Sequence, residues 1–99
     1  MIRSPKPAKS QSEIHPSLPL APGHWRAIVV ALALSPQQAR IVELLLRGMS
    51  DKQIATEMGI GEPTIRTYLA RIFAKTRTHG RMELAMRVLA VSHQVNHRD

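Results

Sequence analysis

Two segments with helical apolar spacing, DKQIATEM at 51–58 and EPTIRTYLARIFAKT at 62–76, are separated only by Gly59-Ile60-Gly61. Two glycines in three residues break a continuous helix, and three residues are too few to let the segments drift apart. The two helices must therefore cross at close quarters. Ala55 and Gly59 are small enough to permit the crossing, and Ile60 follows the turn as a plug between the helices. Ile54, Ala55 and Met58 share one face of the first segment. Ile65, Leu69 and Ile72 share one face of the second.

The rest of the chain supplies partners for those faces. Ser35-Pro36 predicts an N-cap with proline at the first helical position, and a helix over 36–47 burying Ile41, Val42, Leu45 and Leu46. Gly48 follows it as a terminating glycine. Ser50 caps the 51–58 helix, and Asp51 stands favourably in its first turn. Gly61 caps the next helix, with Glu62 near its positive end and Pro63 tolerated in its first turn. A last helix is expected from Arg81 to about residue 94. A first one, over about 24–34, packs through Trp25, Ile28, Val29 and Leu32. Its apolar run AIVVALAL is far shorter than the roughly 20 residues a bilayer span requires, so it is read as a buried helix. No segment alternates like a strand. The expectation is an all-α bundle of four to five helices over 24–97.

Residues 1–23 differ in kind. They hold five of the chain's seven prolines and the basic residues Arg3, Lys6 and Lys9. Proline at that density removes backbone donors and admits no regular element, so a disordered, basic, Pro-rich tail is expected.

Two short helices joined by a three-residue, glycine-containing turn form a helix-turn-helix. Its second helix enters the major groove of DNA while the first braces it. The charge agrees. The 99-residue chain carries a net charge of +7. Between 61 and 81, Arg66, Arg71, Lys75, Arg77 and Arg81 stand against Glu62 alone. A positive stripe along one helix is the footprint of phosphate binding. Only Trp25, Tyr68 and Phe73 are aromatic, too few to stack single-stranded bases, so the duplex is the expected form.

Other chemistry finds little support. With no cysteine there is no disulfide, thiol nucleophile or thiolate metal ligand. His93 and His97 stand four apart, a spacing that can grip a metal on a helix, but no carboxylate completes the set. No nucleophile–base pair, paired carboxylates or phosphate loop stands out. No catalytic residue, metal or cofactor is expected. The competing reading is a helix-turn-helix adaptor that binds a larger regulator and not DNA, since fold alone does not fix function. The basic face argues against it, because an adaptor has no use for Arg66, Arg71 and Lys75 on one helix.

Residues 34–90 resemble the LuxR/NarL/GerE-type helix-turn-helix of bacterial transcription regulators. The resemblance rests on Leu34-Ser35, Gly48-Met49-Ser50, the run Asp51-Lys52-Gln53-Ile54-Ala55, and Ile60 through Tyr68 followed by Ile72 and Lys75. It ends with Arg81 and Glu83-Leu84-Ala85. The sequence departs at Gln37-Gln38, where the family has Arg-Glu. Gly61 replaces a serine cap, Tyr68 replaces a histidine, and Thr76-Arg77 replaces Leu-Gly.

The resemblance implies a cytoplasmic, sequence-specific transcription regulator. Base contacts map onto Arg66, Thr67, Ala70 and Arg71, and phosphate contacts onto Lys52, Thr64, Tyr68 and Lys75. It implies a homodimer through Leu84, Ala85, Val88 and Leu89 of the last helix, with Met82, Met86 and Val91 nearby. RNA polymerase or another regulator is the further partner class, and no membrane is involved. Regulators of this type carry a receiver or ligand domain ahead of the unit. Here only the tail and the 24–34 helix stand there, so the sensory input is expected to be missing from the chain.

Overall fold

The computed structural model describes residues 22–97. Residues 1–21 of the tail expected over 1–23 lie outside the described residues, as does the side chain of His97, while Pro22 and Gly23 belong to the first helix. Five helices follow one another: α1 Pro22–Ala31, α2 Pro36–Leu46, α3 Asp51–Met58, α4 Glu62–Thr76 and α5 Arg81–His97. No strand occurs among the described residues.

Helix starts follow the cap residues. Ser35 accepts from the Gln38 backbone N–H while the Gln38 side chain accepts from the Ser35 N–H, a reciprocal capping box. Ser50 and Gln53 repeat the arrangement at α3. Gly61 starts α4 without a side-chain cap. At α5, Glu83 reaches back to accept from both the backbone N–H and the ring of His79. The donated backbone bond, and then the ring, hold the Glu83 carboxyl below the usual carboxylate range.

Helix ends share a single device. After α1, α2, α3 and α4 the chain closes with paired backbone bonds of the Schellman type. Leu34 N–H reaches Val29 O, Met49 reaches Leu44 O, Ile60 reaches Ala55 O, and Thr78 reaches Phe73 O. Each closure needs one residue at positive φ. Gly48 (89°) and Gly59 (70°) serve two of them, as the sequence predicts. Ala33 (57°) and Arg77 (60°) serve the other two.

The expected boundaries of the first helix change for this reason. Residues 32–34 form the closing turn of α1 instead of its last turn, leaving Ser35 extended to cap α2. At its other end α1 begins at Pro22, where proline loses only an N–H that would have no helical partner. The last helix runs to His97, three residues beyond the expected end.

The core gathers one stripe from every helix: Ile28; Ile41, Val42, Leu44 and Leu45; Ile54 and Ala55; Ile65, Leu69 and Ile72; Leu84 and Val88. Leu46 and Met58, expected inside, are half-buried at its margin, while Leu44 is fully buried. Trp25, Val29 and Leu32 lie against the same core, so α1 is part of the bundle, packed along α5. The His24 ring nitrogen also meets Ser92 at 3.2 Å. No single helix among the described residues is long and apolar enough to cross a membrane.

An arginine held at positive φ carries a steric cost that glycine avoids. Arg77→Gly is expected to stabilise the fold by about 0.5–1 kcal/mol, read as a rise in thermal midpoint of about 2–8 °C. An unchanged or lowered midpoint would show that the Arg77 side chain stabilises more than its backbone costs.

Candidate nucleic-acid interface

Helix α4 turns Ile65, Leu69 and Ile72 inward, all buried. At about 100° per residue, Pro63, Thr67, Ala70, Arg71 and Ala74 fall on the opposite side, and all five are exposed. The middle of that face is small: Thr67, Ala70 and Ala74. A face without bulk lets a helix backbone come close to a groove floor. Thr67, itself exposed, donates from Oγ1 to Pro63 O at 3.2 Å. Thr64 and Lys52 are exposed, whereas Tyr68 is half-buried against the core.

The cations around this face are of two kinds. Arg71 and Lys52 have no ion pair among the described residues. Arg66 is held: its Nη2 donates to Glu62 Oε2 at 2.7 Å, and its Nε stands 3.9 Å from Asp51 Oδ2. Asp51 is also bound by Arg81 Nη2, while Arg81 Nη1 donates to Met49 O at 2.8 Å. One carboxylate at the start of α3 thus meets arginines from α4 and α5. Asp51, Arg66 and Arg81 line a shallow groove with Leu69, Ala70 and Phe73. The charge count along the sequence therefore overstates the free charge of the stripe, because Arg66 and Arg81 have carboxylate partners.

Lys75 is engaged within the fold. Its ammonium donates to Ala33 O at 2.8 Å and to Gln38 Oε1 at 2.9 Å, tying the end of α4 to the α1–α2 turn. An ammonium carries three N–H groups, so one remains for a further acceptor. Gln38 serves this tie and the α2 capping box with a single oxygen. The sequence showed the departure at Gln38 but not its partner, which is 37 residues away. The Glu62–Arg66 pair had a local signal in its i,i+4 spacing.

Helix α5 divides the residues expected at a dimer interface. Leu84 (0 % exposed) and Val88 (4 %) are in the core, and Ala85 is half-buried. Leu89 is 64 % exposed and stands with Met82 (77 %) and Met86 (59 %). These three recur at spacings of four and three and form an apolar stripe on the outer face. Leu84 and Val88 are not on it, because closing the monomer's core uses them.

A capped helix, a three-residue glycine turn and a second helix with an exposed, cation-flanked face define a helix-turn-helix DNA-binding domain. Residues 32–88 match the family described as bacterial regulatory proteins, luxR family. The chain belongs to that family, whose members are DNA-binding transcription regulators. It is 41 % identical over 59 residues to the "Probable HTH-type transcriptional regulator GfsR" of Streptomyces halstedii, covering 60 % of this chain and 24 % of that protein. It is 30 % identical over 83 residues to the two-component response regulator PprB of Pseudomonas aeruginosa, covering 84 % and 26 %. It is 39 % identical over 54 residues to the monoamine regulon transcriptional regulator of Klebsiella aerogenes, covering 54 % and 24 %. The matches span about a quarter of the length of these relatives. No solved structure matches the chain significantly.

Gln38→Glu would place an anion beside the Lys75 ammonium and in the positive first turn of α2. It is expected to stabilise the fold by about 0.5–1 kcal/mol at low salt, with a smaller gain in high salt. Chemical denaturation at two ionic strengths checks this. A loss of stability would mean that the Gln38 amide matters for its N–H as well as its oxygen.

Proposed function

We propose that this chain is a sequence-specific regulator of transcription that binds duplex DNA with α4 in the major groove. The carrying observation is the exposed face of α4, where Thr67 and Ala70 are flanked by Arg66 and Arg71. These residue types suit base edges: arginine can pair bidentately with guanine, and a threonine methyl or alanine can meet a thymine methyl. Lys52, Thr64, Tyr68 and the third N–H of Lys75 would contact phosphates and set the register. The printed names of the three relatives above, each a regulator, support the same reading.

The reading includes a homodimer in the cytoplasm, paired through α5. The supporting observation is the exposed stripe of Met82, Met86 and Leu89, with Ala85 at its edge. An apolar stripe repeating every three to four residues suits a second helix of the same kind.

Binding to random duplex should weaken with salt at about 0.9 log unit per log salt for each phosphate contact. Lys52→Ala should lower affinity for all duplexes alike and flatten that slope by about 1. Arg66→Ala should cost about 1–3 kcal/mol on a preferred site and relax base preference there. No binding at low salt would overturn the reading. Preference unchanged by Arg66→Ala would remove that residue from the base-reading set. Met86→Glu should leave the fold intact and abolish self-association in sedimentation equilibrium; equal association by both proteins would place the interface elsewhere.

A further inference from the structure

Arg66 is the one cation of α4 with a carboxylate partner among the described residues. We propose that Glu62, with Asp51 behind it, is a specificity-determining positioning residue: it occupies the Arg66 guanidinium in place of a DNA phosphate, so that Arg66 adds affinity only at a guanine edge. The inference rests on the DNA-binding reading above and assigns a role to a residue that would itself touch no base.

A long, exposed arginine beside DNA finds the nearest phosphate, and that contact adds affinity without sequence information. Arg66 already has an anion at 2.7 Å on its Nη2 and a second carboxylate oxygen 3.9 Å from its Nε. Moving to a phosphate exchanges one anion for another and gains little. A guanine edge is different. Its N7 and O6 are neutral acceptors, and a guanidinium has five N–H groups, so it can bind them while its Nη2 keeps Glu62.

The geometry favours persistence of the clasp on DNA. Glu62 and Arg66 are four residues apart on one helix, with the acid on the N-terminal side, the better orientation for such a pair. Asp51 is also bound by Arg81 of α5, so its position does not depend on Arg66 alone. Lys52, exposed and with no ion pair among the described residues, supplies sequence-independent attraction, and Arg71 is left to the base edges that the DNA-binding reading gives it.

The test uses the full chain with two probes: random duplex, and a duplex selected by the wild-type protein from a random pool. Both are measured over a salt series with the wild type, Glu62→Gln, Arg66→Ala and the double variant. Glu62→Gln is expected to tighten binding to random duplex roughly three- to tenfold and to steepen the salt slope by about 0.9, one added phosphate contact. The ratio of selected to random affinity should fall by a similar factor. In the Arg66→Ala background the same change should leave slope and ratio unaltered.

Equal tightening in both backgrounds would overturn the proposal, since Glu62 would then only repel DNA. Weaker binding to both probes with a lowered thermal midpoint would also overturn it, making Glu62 a helix-terminus stabiliser. If the wild type binds neither probe at low salt, the DNA-binding reading fails and the clasp with it. Wild-type binding with an uncoupled Glu62→Gln effect sinks the clasp alone.

Discussion

The burial of Ile65, Leu69 and Ile72 decides what this protein can present to a partner. Each buried aliphatic side chain of this size contributes about 1.5–3 kcal/mol relative to exposure, so turning α4 about its axis would forfeit most of its hold on the domain. With those three inside, Thr67, Ala70, Arg71 and Ala74 must face out. The short turn through Gly59 fixes where α4 starts, and Ile60 packs into the angle. The outward face is thus a consequence of the core.

Polar ties then fix the helix along its length. Near its start, Arg66 meets Glu62 and Asp51, and Asp51 also meets Arg81 of α5. Near its end, Lys75 bonds the closing turn of α1 and Gln38 of α2. Exposed polar ties contribute little each, but those through Asp51 and Lys75 join different helices and so constrain orientation more than they add stability. At the end of α4, Thr76 and Thr78 are buried and share a hydroxyl bond at 2.9 Å, which ties the helix exit at the Thr76-Arg77 departure.

Much of the fold was legible in the sequence because its signals are local. Ser35-Pro36, Ser50, Gly48 and Gly59 mark helix boundaries by their own conformational preferences, and the structure places α2, α3 and α4 within a residue of expectation. The left-handed closing turns at Ala33 and Arg77 were not legible: an alanine or arginine at positive φ leaves no compositional trace. The Lys75 bond to the Ala33 carbonyl was hidden for another reason, since its partners are 42 residues apart. In α5 the apolar residues surround too much of the helix for sequence to say which are inward. Only packing separates Leu84 and Val88 from Met82, Met86 and Leu89. The exposed face of α4 followed directly from the 3.6-residue period. The clasp on Arg66 had its spacing in view but needed coordinates to show that the acid and the base meet.

The central claim is that the outer face of α4 is the surface that meets duplex DNA. Backbone amide shifts, followed as a short duplex is titrated into the labelled protein, test it most directly. The account predicts the largest changes at Thr64, Thr67, Ala70 and Arg71, with a second set at Lys52, and little change at Met82, Met86 and Leu89. Shifts confined to α5 or to α1, with α4 unmoved, would contradict it.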